Sequence, residues 1–412
     1  MGNNKKLSMA SSVMWNTCGS TFYLACQWLM TVLVVRLSGL HAGGILTLAI
    51  SVTNIWYAIS VYGMRNYQVS DVKNKYSSGT YFYSRIITIG LSLIGCIVYI
   101  LVIPYSVEQR ACIITYFIVK AVEATFDCFS GMFQKNWRLD IAGKSMLIRG
   151  AITLLSFSVV LYITQNMFLT LIVVAVLTAL AIIVYDLPRV RDLESLKFDF
   201  KSKVVIELLI ECLPLVIYSS LSTSIASIPR LYMERIMGND ILAIYGAVAT
   251  PVLIIQVGAT YIFNPFVTLF AEKYNNDDIK GFLKILAKCI VAVCIISVIG
   301  LIGGALVGKW GLNLLYGSTV ASHVDLLMPL IICTIITAVS WLFCGVLTVI
   351  RGFKGLVISN LAAVLTSLAL SPILEKSMGM QGASLTLALA TIIEIIILVA
   401  DMFIILNKKS NR

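Results

Sequence analysis

Residues 112–133 read CIITYFIVKAVEATFDCFSGMF, an apolar run long enough to cross a bilayer with three ionisable residues inside it. Lys120, Glu123 and Asp127 are spaced i, i+3, i+7, so one face of a helix carries all three. At the helical rise, Lys120 lies about 12 Å and Asp127 about 22 Å into a hydrocarbon layer about 30 Å thick. A charge at that depth costs about 2.5–3.5 kcal/mol on insertion scales. Three on one stripe predict a face turned toward a polar, water-accessible space inside a helix bundle. A transporter needs such a space.

The rest of the chain agrees with a membrane setting. Of 412 residues, 59% are hydrophobic and 12% charged, against about 25% charged in an ordinary soluble protein. The ten cysteines all fall in apolar runs without a CxxC pair, and His41 and His323 are the two histidines. Buried small hydrophobes are the expected role of those cysteines, rather than a disulfide framework or a zinc site. The opening Met1-Gly2-Asn3-Asn4-Lys5-Lys6 departs from the myristoylation pattern at Lys6. The first apolar run is too long for a cleaved signal.

Twelve apolar runs of spanning or near-spanning length are expected. The first six are Val13–Val35, Gly43–Met64, Ile86–Ile103, Cys112–Phe133, Leu147–Ile163 and Met167–Tyr185. The second six are Val204–Ile228, Ile241–Phe263, Ile285–Val307, Leu326–Ile350, Leu356–Leu374 and Ala383–Leu406. The charged connection 186–203 divides them, which predicts an all-α membrane protein with a six-helix lobe over 1–185, a linker, and a second six-helix lobe over 204–412.

Of the 31 Lys and Arg residues, 24 fall on one set of connections and six on the other, with Lys120 left inside a span. The positive-inside rule places the richer side, and with it both termini, in the cytoplasm. The net charge of +11 is then explained by topology and contact with anionic lipid, so no nucleic-acid partner is expected. All connections are short, and no segment is long enough to fold as a soluble catalytic domain.

Several residues could carry chemistry. Glu123 and Asp127 form an i, i+4 like-charge pair beside Lys120, where a proton or Na+ could bind and exchange; a static Lys120–Glu123 pair joining helices is the competing reading. Glu394 sits about 16 Å into the last span and needs a partner from another helix or a proton. Glu211, nearer the cytoplasmic side, is expected to snorkel. The small-polar run Ser219–Ser227 suits close helix packing or a wet wall offering hydroxyls to a sugar. Pro214, Pro251, Pro265, Pro329 and Pro372 are expected kinks. Arg36, Arg230 and Arg235, on the less basic face, could bind phosphate bidentately, or form interfacial pairs such as Arg230 with Glu234. Asp277-Asp278 reads as solvated charge. There is no GxxxxGK[ST], HExxH or GxSxG, which removes a self-powered ATP pump and the common hydrolases.

Specific segments resemble a known family. They are Trp15-Asn16; Val34-Val35-Arg36-Leu37; Tyr62-Gly63-Met64-Arg65-Asn66-Tyr67-Gln68-Val69-Ser70-Asp71; Glu123, Asp127, Gln134, Arg138, Asp140, Gly143, Ser145, Arg149 and Gly150; Pro214; Tyr245-Gly246 with Ala249; Leu315-Tyr316-Gly317; and Gly379, Gly382 and Ala383. Together they resemble the polysaccharide repeat-unit flippases of the MOP exporter superfamily, relatives of the MATE and lipid II flippase groups.

The resemblance spans essentially the whole chain. It implies two six-helix lobes around a V-shaped cavity and transfer of an undecaprenyl-pyrophosphate-linked oligosaccharide, for capsule or O-antigen export, across a bacterial cytoplasmic membrane. The length and the absence of two further spans favour the repeat-unit group over the lipid II group. The resemblance also implies a cavity lined by basic residues. Lys120, Arg36, Arg230, Arg235, Asn16 and Gln27 are the substrate-binding candidates. Glu123, Asp127 and Glu394 are the coupling-ion candidates for H+ or Na+, and no other cofactor is implied. Expected partners are the lipid-linked glycan, membrane lipids, and polymerases or glycosyltransferases of envelope assembly.

Three rivals differ in what they demand. A MATE-like drug antiporter of the same fold moves amphipathic cations and wants an acidic cavity. A membrane-embedded glycan polymerase or ligase wants catalytic residues on a sizeable outer loop, and the longest here is about 308–325. An envelope scaffold has no use for charges at mid-depth.

Overall fold

The computed structural model describes residues 8–71, 74–196, 202–263 and 266–410, and side chains at 253–262, 267, 268 and 410 are not described. Lys5, Lys6, Lys73, Lys197, Lys201, Pro265 and Arg412 lie outside the described residues. The described chain is helical, without strands. Its first half holds α1 (Met9–Val61), α2 (Met64–Ser70), α3 (Ser78–Val102), α4 (Val107–Lys135), α5 (Leu139–Thr164), α6 (Met167–Ala181) and α7 (Leu187–Leu193). Its second half holds α8 (Ser202–Met237), α9 (Asn239–Phe263), α10 (Val267–Asn275), α11 (Ile279–Tyr316), α12 (Ser318–Ala321), α13 (Leu327–Val349), α14 (Phe353–Met378) and α15 (Met380–Ser410).

Each expected apolar run falls on a helix. Nine helices among the described residues are long and apolar enough to cross a membrane. The difference from twelve has local causes. α1 holds two of the runs, α4 carries too many charges to qualify, and the end of α9 lies among undescribed side chains. Large apolar side chains stay exposed along the helices, Leu155, Ile94 and Leu306 among them. That inverts the pattern of a water-soluble bundle and fits hydrocarbon as the surrounding medium. The chain is a multi-pass membrane protein.

The ends follow local chemistry. Ser106 and Gln109 close a capping box on α4, the Ser106 hydroxyl taking the Gln109 amide while the Gln109 side chain takes the Ser106 amide. Within α1 the two runs meet at Gly39, whose φ of 82° is a left-handed setting that a residue with Cβ adopts only with strain. Three connections differ from expectation. The first part of 186–203 is helical, with a π-turn over Ile182–Asp186 running into α7. The stretch around 308–325 is mostly helix rather than loop, covered by α11 and α12. Asp278 is no idle solvated charge: it caps α11 by accepting the Gly281 amide at 2.8 Å and pairs with Lys273 at 2.8 Å.

Contacts divide the chain into two compact units, 1–220 and 221–412, so the division falls inside α8. In the first unit α1 packs against α5, α4 and α3. The α1–α5 contact is backbone on backbone: a Cβ on Gly143 would stand 2.2 Å from the Trp15 carbonyl oxygen and 2.7 Å from the Asn16 nitrogen. An aromatic core of Tyr76, Tyr81, Phe126, Phe129 and Phe133 takes in Leu208 and Cys212 from the first half of α8. Glu211, expected to snorkel, is partly exposed and meets Lys75 at 2.5 Å and the Tyr67 hydroxyl. In the second unit α13 packs against α9, α11 and α15, and α14 against α15. Within the run Ser219–Ser227, Ile225 packs with Ala363, Val364 and Ala390, and the Ser367 hydroxyl donates to the Ile225 carbonyl at 3.4 Å.

Asp71 organises the turn between α2 and α3. It accepts the Lys75 amide at 2.8 Å, the Tyr76 amide at 3.0 Å and the Tyr81 hydroxyl at 3.2 Å. Burial opposes its ionisation, and the two amides with Tyr81 outweigh burial, holding its carboxyl below the usual carboxylate value.

Two outcomes follow from these contacts. Gly143→Val forces α1 off α5 and exceeds the about 1–3 kcal/mol of ordinary overpacking. Its thermal midpoint in detergent should fall well below that of the parent, and an unchanged midpoint would refute the close approach. A carboxyl with a lowered folded-state pKa stabilises above its unfolded pKa and loses that contribution as pH falls through the folded value. The parent should therefore lose midpoint on acidification through that window more steeply than Asp71→Asn, and parallel curves would remove Asp71 as a cause.

Candidate functional site

The stripe read from 112–133 lies on α4, and its charges are divided between two sets of partners. Lys120 Nζ reaches Glu123 Oε2 at 2.8 Å, with side chains 14% and 12% exposed. The Lys120 ammonium also lies over the Tyr57 and Tyr116 rings, 5.3 and 5.6 Å from their centroids. Glu123 Oε1 accepts from the Tyr23 hydroxyl at 2.5 Å and the Gln27 amide at 3.3 Å. One carboxylate thus joins α4 to the first span through Tyr23 and Gln27.

Asp127, a turn further on, is held by guanidinium groups. Arg85 of α3 meets its Oδ2 at 2.9 Å, and Arg65 of α2 meets its Oδ1 at 3.5 Å. The Arg85 side chain is 1% exposed and Asp127 19%. Arg85 also donates to the Ser60 carbonyl at 2.9 Å, and Arg65 to the Gln134 side-chain oxygen at 3.1 Å. The repulsion between Glu123 and Asp127 is resolved by giving each its own cation.

Arg149 of α5 completes the cluster from the other side. It is 2% exposed. Its guanidinium lies 3.5 Å from the centroid of Phe126 and 5.2 Å from that of Tyr23. Its Nε has no hydrogen-bond partner, and it makes no ion pair among the described residues. Asp186, within electrostatic reach of Arg149, is fully buried and accepts from Ser145 Oγ at 2.8 Å, while its Oδ1 is unpartnered. Four cations, Lys120, Arg65, Arg85 and Arg149, therefore surround two carboxylates on α4, and the balance is basic even with Asp186 counted.

The other expected residues lie elsewhere. Asn16 sits at the α1–α5 contact with its side-chain oxygen buried and unpartnered. Arg36 is exposed near the end of the first run. Arg230 and Arg235 belong to the second unit, Arg230 half-buried near Tyr245 and Arg235 exposed. Glu394 is buried, accepts from Cys344 Sγ of α13 at 3.6 Å, and has Ser340 and Asn360 beside it. Its partners come from other helices, and none is a cation.

Charge counting by connection misplaces Arg85 and Arg149. It assigns both to cytoplasmic loops, and both are buried inside helices. Asp186, read as a linker charge, is buried as well. The available signal is position: each lies within a turn of an apolar run rather than in a polar loop. Glu375 of α14 carries no signal beyond its neighbour Lys376, and it is fully buried.

No family model matches the chain. It is similar to the capsular polysaccharide biosynthesis protein CapF of Staphylococcus aureus, 22% identical over 376 residues, covering 90% of this chain and 93% of that protein. Among solved structures it is similar to the lipid II flippase MurJ in its inward closed conformation, at 13% identity and a TM-score of 0.69 over 96% of this chain and 90% of that one. It is also similar to an inward-facing multidrug-resistance MATE transporter of the MOP superfamily, at 12% identity and a TM-score of 0.67 over 96% and 99%. The MATE multidrug transporter DinF-BH gives 12% and 0.70 over 96% and 94%. The fold is that of the MATE and MurJ proteins. These structural neighbours are described as transporters and, for MurJ, a flippase.

Removing Arg85 leaves Asp127 with a weaker, more distant partner. Arg85→Ala should cost about 3–5 kcal/mol, the order seen when one member of a buried pair is lost. Adding Asp127→Leu should recover part of it, which unfolding of the single and double variants in the same detergent measures. Additive losses would show the pair to be uncoupled.

Proposed function

We propose that this chain is a flippase for a polyprenyl-pyrophosphate-linked oligosaccharide, moving the repeat unit from the inner to the outer leaflet of a bacterial cytoplasmic membrane by alternating access. The observation that carries this reading is the basic excess of the cluster around α4, four cations against Glu123, Asp127 and Asp186, with Arg65 at its more exposed edge. A carrier of amphipathic cations needs a net acidic site, because each extra buried cation repels the ligand. A pyrophosphate is doubly suited to Arg149 and Lys120: Arg149 is without an ion-pair partner among the described residues and Lys120 is shared with a single carboxylate. Similarity to a capsular polysaccharide biosynthesis protein supports a glycan cargo, and the fold shared with a lipid II flippase supports a polyprenyl carrier.

The proposed work is desolvation. A glycan in hydrocarbon loses several kcal/mol for each polar group left unsatisfied. A polar path along the charged face of α4 replaces those bonds while the polyprenyl tail remains in lipid. Tyr23, Tyr57, Tyr116 and Gln27 are amphipathic groups suited to line it, and Tyr57 and Tyr116 flank Lys120. Six spans on each side of the 186–203 connection, both termini in the cytoplasm, and coupling to H+ or Na+ through carboxylates are parts of the same proposal. Glu123 and Asp127 are each engaged by cations, so ion exchange there requires Lys120 or Arg85 to swing away. Glu394 has no such guard.

The test is leaflet accessibility of a fluorescent polyprenyl-pyrophosphate glycan in vesicles with and without the protein. The protein should speed exposure to an external quencher. Lys120→Ala and Arg149→Ala should each slow it by about tenfold or more, the kinetic size of one charge-assisted contact. Export of a cationic dye with no effect on the glycan lipid would overturn the proposal in favour of the antiporter.

A further inference from the structure

Glu375 lies at the end of α14 and is 0% exposed. Neither of its carboxyl oxygens makes a well-formed hydrogen bond, and its one polar side-chain neighbour on the same helix is the buried hydroxyl of Ser371, one turn back, which interacts with it weakly. The site is closed by backbone. The Gly379 amide donates to the Glu375 carbonyl at 3.0 Å. Gly379 takes a φ of 62°, turning the chain into α15. A Cβ on Gly382 would stand 2.1 Å from the Leu374 carbonyl oxygen and 2.8 Å from the Glu375 nitrogen, so α15 starts pressed against this turn.

The groups that face it are few. Tyr245 of α9 is within electrostatic reach of Glu375 and also of Arg230 on α8 and Cys333 on α13. From α15, Ser384 donates to the Tyr245 hydroxyl at 3.4 Å. Lys376, the next residue on α14, makes no ion pair with Glu375 among the described residues. An ionised carboxylate with at most one weak hydroxyl donor and no cation in contact does not persist in such a place; the group neutralises instead.

We propose that Glu375 is a proton-binding site of the second unit, carrying its proton in this conformation and releasing it only when the α14–α15 turn opens to water. One O–H bond forms when hydronium delivers the proton to an Oε, and the same bond breaks when the proton returns to water. No other bond changes. Transport then senses pH through this carboxyl, a step that rests on the flippase reading, whereas the protonation itself does not. In the conformation seen, proton exchange is blocked because no water reaches the carboxyl. A coupled carrier requires such blocking, since an acid open to both faces would leak protons.

The experiment uses the full chain in nanodiscs and in proteoliposomes. Infrared titration should show a protonated-carboxyl band at neutral pH that is absent in Glu375→Gln, with Glu394→Gln as the control that separates the other buried acid of this unit. A parent spectrum indistinguishable from that of Glu375→Gln would overturn the proposal. In proteoliposomes Glu375→Gln, a neutral isostere, should still move the glycan lipid but lose at least about tenfold of any acceleration by a pH gradient, a loss of about 1.4 kcal/mol of coupling. Full gradient acceleration in that variant would overturn the proposal even with the band assigned, because the acid would then be merely structural. If neither protein moves glycan lipid, the flippase reading fails, while the infrared result still decides the protonation.

Discussion

Hydrocarbon does not solvate ions, and the first unit is arranged around that fact. Four cations and two carboxylates sit within one bundle, and each carboxylate is met by at least one cation and one further donor or second cation. The arrangement explains the local structure. Arg85 ties α3 to α4 and to the Ser60 carbonyl. Glu123 ties α4 to the first span through Tyr23 and Gln27. Arg149 draws α5 onto the same point through two aromatic rings. Helices that gain little from apolar contact in lipid are thereby specified by polar contact. The glycine approaches between α1 and α5 then bring backbones close enough for these side chains to reach one another.

The second unit handles ionisable groups differently. Glu394 has a thiol, a hydroxyl and an amide around it, and neither carboxyl oxygen of Glu375 makes a well-formed hydrogen bond. Cation pairing stabilises the charged form of a carboxyl, whereas apolar enclosure stabilises the neutral form. The two carboxylates of α4 and the two buried glutamates of α14 and α15 are therefore held by opposite means, the first pair by cations and the second by enclosure.

The stripe on α4 is legible because its spacing is a property of a single helix. So is the membrane class, which needs only composition. The partners are not legible, since Arg85, Arg65, Tyr23 and Arg149 come from four other stretches, and nothing local in the sequence says which helix faces α4. Counting charges by connection treats Arg85 and Arg149 as loop residues, because the rule looks at the edges of apolar runs and not at burial. The competing reading of a static Lys120–Glu123 pair is present in the geometry, with Tyr23 and Gln27 added to it. Glu375 is hidden for a related reason: beside Lys376 it looks like an ordinary interfacial pair, and only the fold shows the two side chains unpaired with each other.

The basic excess also bears on energetics. A pyrophosphate moving outward across an inside-negative membrane gains about 2.3 kcal/mol per charge for each 100 mV. A site that binds it tightly would hold it there, so cations in the path must be shared rather than bare. Lys120 is shared with Glu123, and Arg85 and Arg65 with Asp127. Arg149 is softened by ring faces in place of a counter-ion. In the proposed flippase, each carboxylate on α4 is an exchangeable stand-in for the substrate's own charge, occupying the cations when the site is empty and yielding them when phosphate arrives. On this view acidic residues beside a site for an anion are what allow the anion to leave.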